Sequence, residues 1–170
     1  MLRKAREHEQ TISILVNNEP GVLSRVGGVF GRHGYNIKSL CVAETTNPEV
    51  SRITLTSESD PDFTEKIKKQ LDKLVDVIDV SDVSGQSFIQ RELMLIGVTL
   101  KEGAYSEILR AIELFGCKIV TMTPDYFILE LTGQPDETAA FLKFFQSFGV
   151  EEINRTGLIA LQRTRPKTKV

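Results

Sequence analysis

Hydrophobic residues recur along this chain with two periods, one typical of strands and one typical of helices. Ile12, Ile14 and Val16 occupy every second position and predict a strand over 10–17. A later stretch predicts a helix over 61–74, because its apolar residues recur at helical spacing: Phe63, Ile67, Leu71 and Leu74. The pattern therefore indicates a mixed α and β fold.

The first half of the chain predicts the element order βαββαβ. Gly34 is expected to end the first helix, Asn47 and Pro48 to form a hairpin turn, and Asp60 and Pro61 to open the second helix. The predicted strands lie at 10–17, 35–45, 51–57 and 75–83, and the predicted helices lie at 20–33 and 61–74.

The second half repeats this order less clearly, with a hairpin turn predicted at Pro124 and Asp125. The predicted strands lie at 93–100, 117–123, 126–131 and 150–162, and the predicted helices lie at 104–115 and 135–148. Four aromatic residues of the last helix share one face and predict a core stripe: Phe141, Phe144, Phe145 and Phe148. The expected fold is α+β, with two ferredoxin-like βαββαβ domains at 9–83 and 93–163, a linker at 84–92 and a basic tail at 164–170.

Charge and composition argue against several classes of partner. The formal net charge of -2 gives no broad cationic face for nucleic acid, because phosphate neutralisation by Lys and Arg supplies most non-specific binding. Apolar runs stay well short of the ~20 residues that span a bilayer, and the charged N-terminus lacks the apolar core of a signal peptide. We therefore expect a cytoplasmic protein that binds neither nucleic acid nor membrane.

Cysteine and histidine usage predicts no disulfide, metal site or catalytic centre. Cys41 and Cys117 are far apart in apolar runs and are expected to be small buried hydrophobes. His8 and His33 stand at no ligand spacing from a cysteine or a pair of carboxylates.

A ligand site is predicted where the first strand meets the first helix. The strand runs into a polar turn at Asn17 and Asn18, and Pro20 is expected at the first helical position, where its missing N–H costs nothing. The unpaired amides of a helix N-terminus attract a carboxylate or a phosphate, and Gly21 lets an anion approach the backbone. Asn18 is equally suited to shape the turn.

Asn36 is a further candidate for a ligand contact, and a structural role suits it equally. Asn36 opens a strand, where Asn is disfavoured and needs a partner if it is buried. Gly27 and Gly28 fall inside the first predicted helix, where close packing against another element explains them more simply than ligand binding.

Several segments of the chain resemble the regulatory small subunit of acetolactate (acetohydroxyacid) synthase. The stretch 18–26 reads Asn-Glu-Pro-Gly-Val-Leu-Ser-Arg-Val, and 34–40 reads Gly-Tyr-Asn-Ile-Lys-Ser-Leu. These two alone resemble ACT domains in general, which sense amino acids. The segments at 51–54, 70–77 and 91–95, which read Ser-Arg-Ile-Thr, Gln-Leu-Asp-Lys-Leu-Val-Asp-Val and Arg-Glu-Leu-Met-Leu, make the small subunit the specific resemblance.

The resemblance implies an ACT domain in the first half and an effector site in a homodimer. A branched-chain amino acid, usually valine, would bind where two ACT domains meet, with its carboxylate at the turn and its ammonium group at a strand of the neighbouring subunit. Carried over to this chain, the effector-binding residues are Asn18, Pro20, Gly21, Val22, Leu23, Asn36 and Ile37.

The resemblance also implies a catalytic large subunit as partner. That subunit uses thiamine diphosphate (ThDP), Mg²⁺ and FAD, whereas this chain is expected to hold no cofactor and to catalyse nothing alone. The alternative is a stand-alone ACT-domain sensor that controls transcription or another enzyme. An RNA-recognition domain shares the βαββαβ order, but the strand segments 34–42 and 51–57 lack its basic and aromatic motif.

Overall fold

A computed structural model describes residues 9–58, 62–85, 87–99, 103 and 105–163. These residues form two compact units. The first contains the residues up to Ile89 together with those from Gly157 onward, and the second contains Gln90–Thr156.

The first unit contains an antiparallel sheet of four strands in the order β2-β3-β1-β4. Its elements are β1 (Glu9–Asn17), α1 (Val22–Arg32), β2 (Asn36–Glu44), β3 (Val50–Glu58), α2 (Phe63–Leu71) and β4 (Val77–Asp82). This is the predicted βαββαβ order, and β2 and β4 are the edges of the sheet.

One hydrophobic core joins the sheet of the first unit to its two helices. The alternating residues Ile12 and Ile14 of β1 are fully buried, and so are Phe30 of α1 and Phe63 of α2. The rings of Phe30 and Phe63 lie 6.0 Å apart, so the two helices meet above the same sheet face.

The second unit repeats the architecture with an antiparallel sheet in the order β6-β7-β5-β8. Its core includes three members of the predicted phenylalanine stripe, since Phe141 and Phe145 are fully buried and Phe148 is 9% exposed. The fourth, Phe144, is half-buried and packs against this core. The elements between the two units' boundaries are β5 (Phe88–Thr99), α3 (Tyr105–Phe115), β6 (Lys118–Met122), β7 (Tyr126–Gly133), α4 (Pro135–Phe145) and β8 (Val150–Arg155). The last strand, β9 (Ile159–Gln162), belongs to the residues grouped with the first unit. The predicted α+β fold with two ferredoxin-like units is confirmed.

The largest local error concerns the start of α1. Pro20 does not open the helix, because it lies in the preceding turn and Gly21 caps the helix with a left-handed backbone at φ 82°. Gly27 and Gly28 were predicted to sit at close contacts, yet a side chain built at either position meets nothing within 4 Å.

Two strand limits also differ from the prediction. Strand β5 begins at Phe88, so the predicted linker over 84–92 includes its first residues. The single strand predicted at 150–162 is two strands, because Gly157 between them takes a positive φ of 77°. The expected helix opening at Asp60 and Pro61, residues 100 and 104 at the limits of predicted elements, His8 and the basic tail at 164–170 lie outside the described residues.

Candidate functional site

The turn after β1 is held by hydrogen bonds to the loop between β2 and β3. The side-chain amide of Asn18 donates to the carbonyl oxygen of Pro48 at 2.9 Å and to the carboxylate of Glu44 at 3.2 Å. The Asn18 backbone N–H donates to the carbonyl oxygen of Glu49 at 2.7 Å. Asn18 therefore fixes the turn through its own amide, and its side chain is exposed.

Three backbone amides in front of α1 remain available to a ligand. The N–H groups of Gly21, Leu23 and Ser24 donate to no acceptor among the described residues, whereas the Val22 N–H bonds the carbonyl oxygen of Glu19 at 3.3 Å. The helix N-terminus also carries a partial positive charge. This arrangement is suited to hold a carboxylate.

Gly21 leaves the backbone at the start of α1 without a covering side chain. Its φ of 82° lies in the region that favours glycine, and a side chain there would start 3.2 Å from the Nη1 atom of Arg25. Val22, which the sequence also assigns to the site, has its side chain in the core at 4% exposure. Leu23 is 45% exposed and is therefore free to contact a ligand.

Sequence reasoning missed Arg25 as a member of this site. Its Nε atom pairs with Asp76 at 2.8 Å, and its guanidinium lies over the first turn of α1. Arg25 follows Gly21 by four residues, which is about one helical turn, and this spacing could have identified Arg25 from the sequence. Arg25 therefore places a guanidinium, paired on one side with Asp76, beside the three free amides.

Asn36 and Ile37 lie at the opposite end of the same sheet. In the register of the sheet, Asn36 pairs with Glu58 at one end of β3, whereas Asn17 pairs with Val50 at the other end. Eight residues of strand separate these ends, which is about 26 Å at roughly 3.3 Å per residue. One chain therefore does not bring the two halves of the predicted site together.

The Asn36 side chain is exposed and makes no hydrogen bond to any residue that the structure describes. Burial therefore does not explain an asparagine at the start of β2. Ile37 is half-buried and packs against the core of the first unit.

Apolar residues remain exposed along the sheet edge formed by β2. Leu40 is 37% exposed and Val42 is 43% exposed, although they pair with the buried residues Leu55 and Ile53 on the helix side of the sheet. Edge strands of this kind are templates for pairing with another chain.

The described residues contain no group of three or more His, Cys, Asp or Glu side chains that could hold a metal ion. Of the two cysteines, Cys117 is buried, as predicted, but Cys41 is only half-buried. Within the described part of the chain, no helix is long and apolar enough to cross a membrane.

Comparison with known proteins identifies the family. A family model described as the AHAS small subunit-like ACT domain matches residues 12–79, and one described as the small subunit of acetolactate synthase matches residues 91–164. The probable acetolactate synthase small subunit of Archaeoglobus fulgidus is 40% identical over 94% of this chain and 99% of its own. The corresponding protein of Aquifex aeolicus is 37% identical over 95% of this chain and 85% of its own.

A solved structure supports the same assignment across both units. The acetolactate synthase small subunit from Thermotoga maritima matches with a TM-score of 0.84 and 36% sequence identity, over 92% of this chain and 98% of that one. The sequence segments at the turn before α1 and in β5 and the three-dimensional fold thus indicate the same family. The chain belongs to the family of acetolactate synthase small subunits, and its first unit is an ACT domain.

Proposed function

We propose that this chain is the regulatory subunit of an acetolactate synthase, and that its homodimer binds valine or another branched-chain amino acid. Binding would impose feedback inhibition on branched-chain amino acid biosynthesis, and the subunit itself would stimulate the catalytic large subunit. The main observation behind this proposal is that the predicted site consists of two parts that lie far apart in one chain. We call each part a half-site. The free amides at Gly21 and the exposed Asn36 lie at opposite ends of one ACT domain.

A twofold pairing of β2 with the same strand of a second copy brings the two half-sites together. If the strands run antiparallel about the midpoint Leu40, Asn36 of the partner subunit lies opposite Glu44. Glu44 already accepts the hydrogen bond from Asn18 at 3.2 Å. The pairing therefore places each Asn36 beside the turn of the other subunit and covers the exposed side chains of Leu40 and Val42.

The combined site matches an amino acid in charge and polarity. The amides of Gly21, Leu23 and Ser24, with Arg25 beside them, suit the carboxylate. The side-chain oxygen of Asn36 from the partner subunit suits the ammonium group. Micromolar affinity requires about 8 kcal/mol, which is within the ceiling of ~1.5 kcal/mol per heavy atom for very small ligands.

The effector would act on geometry and would take no part in the chemistry. Because both subunits contribute to the site, an occupied site favours one arrangement of the two ACT domains. A coupling free energy of roughly 1–3 kcal/mol to the large subunit is enough for regulation. We assign ThDP, Mg²⁺ and FAD to the large subunit, and we expect no synthase activity from this chain alone.

Calorimetric titration of the purified chain with valine, leucine, isoleucine and serine tests the proposal, with the oligomeric state measured by sedimentation in the same buffer. We expect saturable binding of a branched-chain amino acid to a dimer. Addition of the subunit to the large subunit should then raise synthase activity, and the bound amino acid should lower it. A folded dimer that binds another amino acid and does not change synthase activity would instead identify a stand-alone sensor.

A further inference from the structure

A separate cavity of about 280 Å³ opens on the other face of the ACT sheet. Its walls come from β2, β3 and β9, all within the first compact unit: Cys41, Ala43, Glu44, Thr45, Thr46, Arg52, Thr54, Ile159 and Ala160. The volume is close to the lower end of the roughly 300–1,000 Å³ range of small-molecule sites.

The register of the sheet identifies which side chains share this face. Cys41 pairs with Thr54 and Ala43 pairs with Arg52, so these four side chains lie on the same side of β2 and β3. Glu44 is one residue further along and alternates to the other side, where its carboxylate accepts the hydrogen bond from Asn18. Arg52 therefore presents a positive charge on the sheet face that borders the cavity, and Glu44 also lines the cavity.

Arg52 is held in position but most of its donors are unused. Its Nη1 atom donates to the hydroxyl of Ser13 at 2.7 Å, and Ser13 is only 2% exposed. No other hydrogen bond or ion pair links the guanidinium to a residue in the described part of the chain. A fixed guanidinium with free N–H groups is suited to a carboxylate.

Thr54 supplies an independent sign of a ligand. It is 4% exposed and lines the cavity, yet its hydroxyl forms no hydrogen bond with any residue that the structure describes. A buried hydroxyl without a partner is costly, so native proteins rarely keep one without a reason. A ligand oxygen bound beside Arg52 would satisfy it.

We propose that this cavity binds a small organic carboxylate with a short apolar tail. The carboxylate contacts the guanidinium of Arg52 and the hydroxyl of Thr54, and the tail lies against Ala43, Ile159 and Ala160. This site is distinct from the proposed effector site at the turn before α1 and does not depend on it.

Alkylation of Cys41 by iodoacetamide reports occupancy, because Cys41 lines the cavity and is half-buried, whereas Cys117 is buried and serves as an internal reference. Peptide mass spectrometry measures both rates while isobutyrate is titrated at fixed pH and ionic strength. We expect saturable slowing at Cys41 alone. Isobutyramide, which has the same shape but no charge, should give much weaker protection, and equal protection by both would overturn the role of Arg52.

Two variants test whether Arg52 and Thr54 bind the carboxylate or only support the fold. Arg52→Gln should weaken isobutyrate protection about tenfold or more, as expected for a lost charge-assisted pair. The surface control Arg110→Gln should leave it unchanged. Thr54→Val should weaken protection several-fold and leave the urea unfolding midpoint unchanged or raised, because the hydroxyl has no partner to lose.

The Gly21→Asp variant distinguishes failure of this proposal from failure of the effector site. It should retain full protection of Cys41 by isobutyrate. If Gly21→Asp abolished protection while Arg52→Gln retained it, the carboxylate would be bound at the turn and the cavity proposal would be wrong. A marked loss of stability in Thr54→Val would also contradict it, since the hydroxyl would then have a structural role.

Discussion

Replacing Gly21 with Asp places a negative charge where the effector carboxylate is proposed to bind. The new Cβ would start 3.2 Å from the flexible end of Arg25, and the new carboxylate would pair with that guanidinium. It would also compete for the free amides of Leu23 and Ser24. The substitution therefore fills the site with a group from the protein itself.

The expected loss of binding can be estimated from these contacts. Each charge-assisted hydrogen bond contributes about 1.5–3 kcal/mol, so losing two of them costs about 3–6 kcal/mol. That cost corresponds to at least about a 100-fold weaker affinity for valine. The left-handed backbone adds a folding cost of about 1–2 kcal/mol, because a side chain is disfavoured at a φ of 82°.

Valine binding should be measured by calorimetry, and stability by urea unfolding, on the wild-type protein and on the variants Gly21→Asp, Gly21→Ala and Gly103→Asp. Gly103 has a φ of 83°, close to that of Gly21, and nothing lies within 4 Å of a side chain added there. Gly103→Asp is therefore a control that introduces the same charge and the same backbone strain at a position outside the turn. It should lose stability but bind valine normally, and Gly21→Ala should bind better than Gly21→Asp. Normal affinity in Gly21→Asp, or equal loss in Gly103→Asp, would refute the proposed carboxylate position.

Three further changes test other parts of the structure. Gly28→Ala should raise the free energy of unfolding by about 0.5–1 kcal/mol in urea titrations, because Gly28 lies inside α1 with nothing within 4 Å of an added methyl group; a decrease would show that the methyl group meets a contact. Arg155→Met should lower the free energy of unfolding by about 2 kcal/mol, because Glu92 is 3% exposed and would lose the guanidinium that pairs with its carboxylate. The double variant with Glu92→Leu should be less destabilised than Arg155→Met, and the opposite order in chemical denaturation would contradict this account. Burial raises the pKa of the Cys117 thiol to about 11 from 9.0, so the folded state holds the proton more tightly and stability should fall between pH 9 and 11. Thermal melts of the wild type should show that the free energy of unfolding falls by about 2 kcal/mol over this pH range, and the fall should be absent in Cys117→Ala. If Cys117→Ala shows the same fall as the wild type, Cys117 is not its cause.

The two helices that follow a proline show why local patterns predict some boundaries and miss others. Pro135 does open α4, because Gln134 takes an extended backbone and forms a capping box with Glu137. Pro20 does not open α1, because the next residue is a glycine in the left-handed region. A pattern of residue types does not reveal that backbone choice.

The candidate site was predictable only in part for a related reason. The turn at Asn18 and the unpaired amides near Gly21, which are proposed to bind an anion, follow from local sequence signals. The distance between this turn and Asn36 depends on strand order and register, which are properties of the whole sheet. Hydrophobic alternation predicted the strands but not their order, so the proposal of a second subunit at this site came from the resemblance.

Mixing two defective variants tests the shared site most directly. Gly21→Asp damages the turn, and Asn36→Ala damages the half-site proposed to serve the other subunit, so neither homodimer should bind valine. In a heterodimer one site would carry both changes and the other would be intact. After denaturation and refolding of an equal mixture, we expect valine binding at about one quarter of the wild-type number of sites. If native mass spectrometry shows heterodimers and calorimetry still shows no binding, the effector site is not shared between subunits.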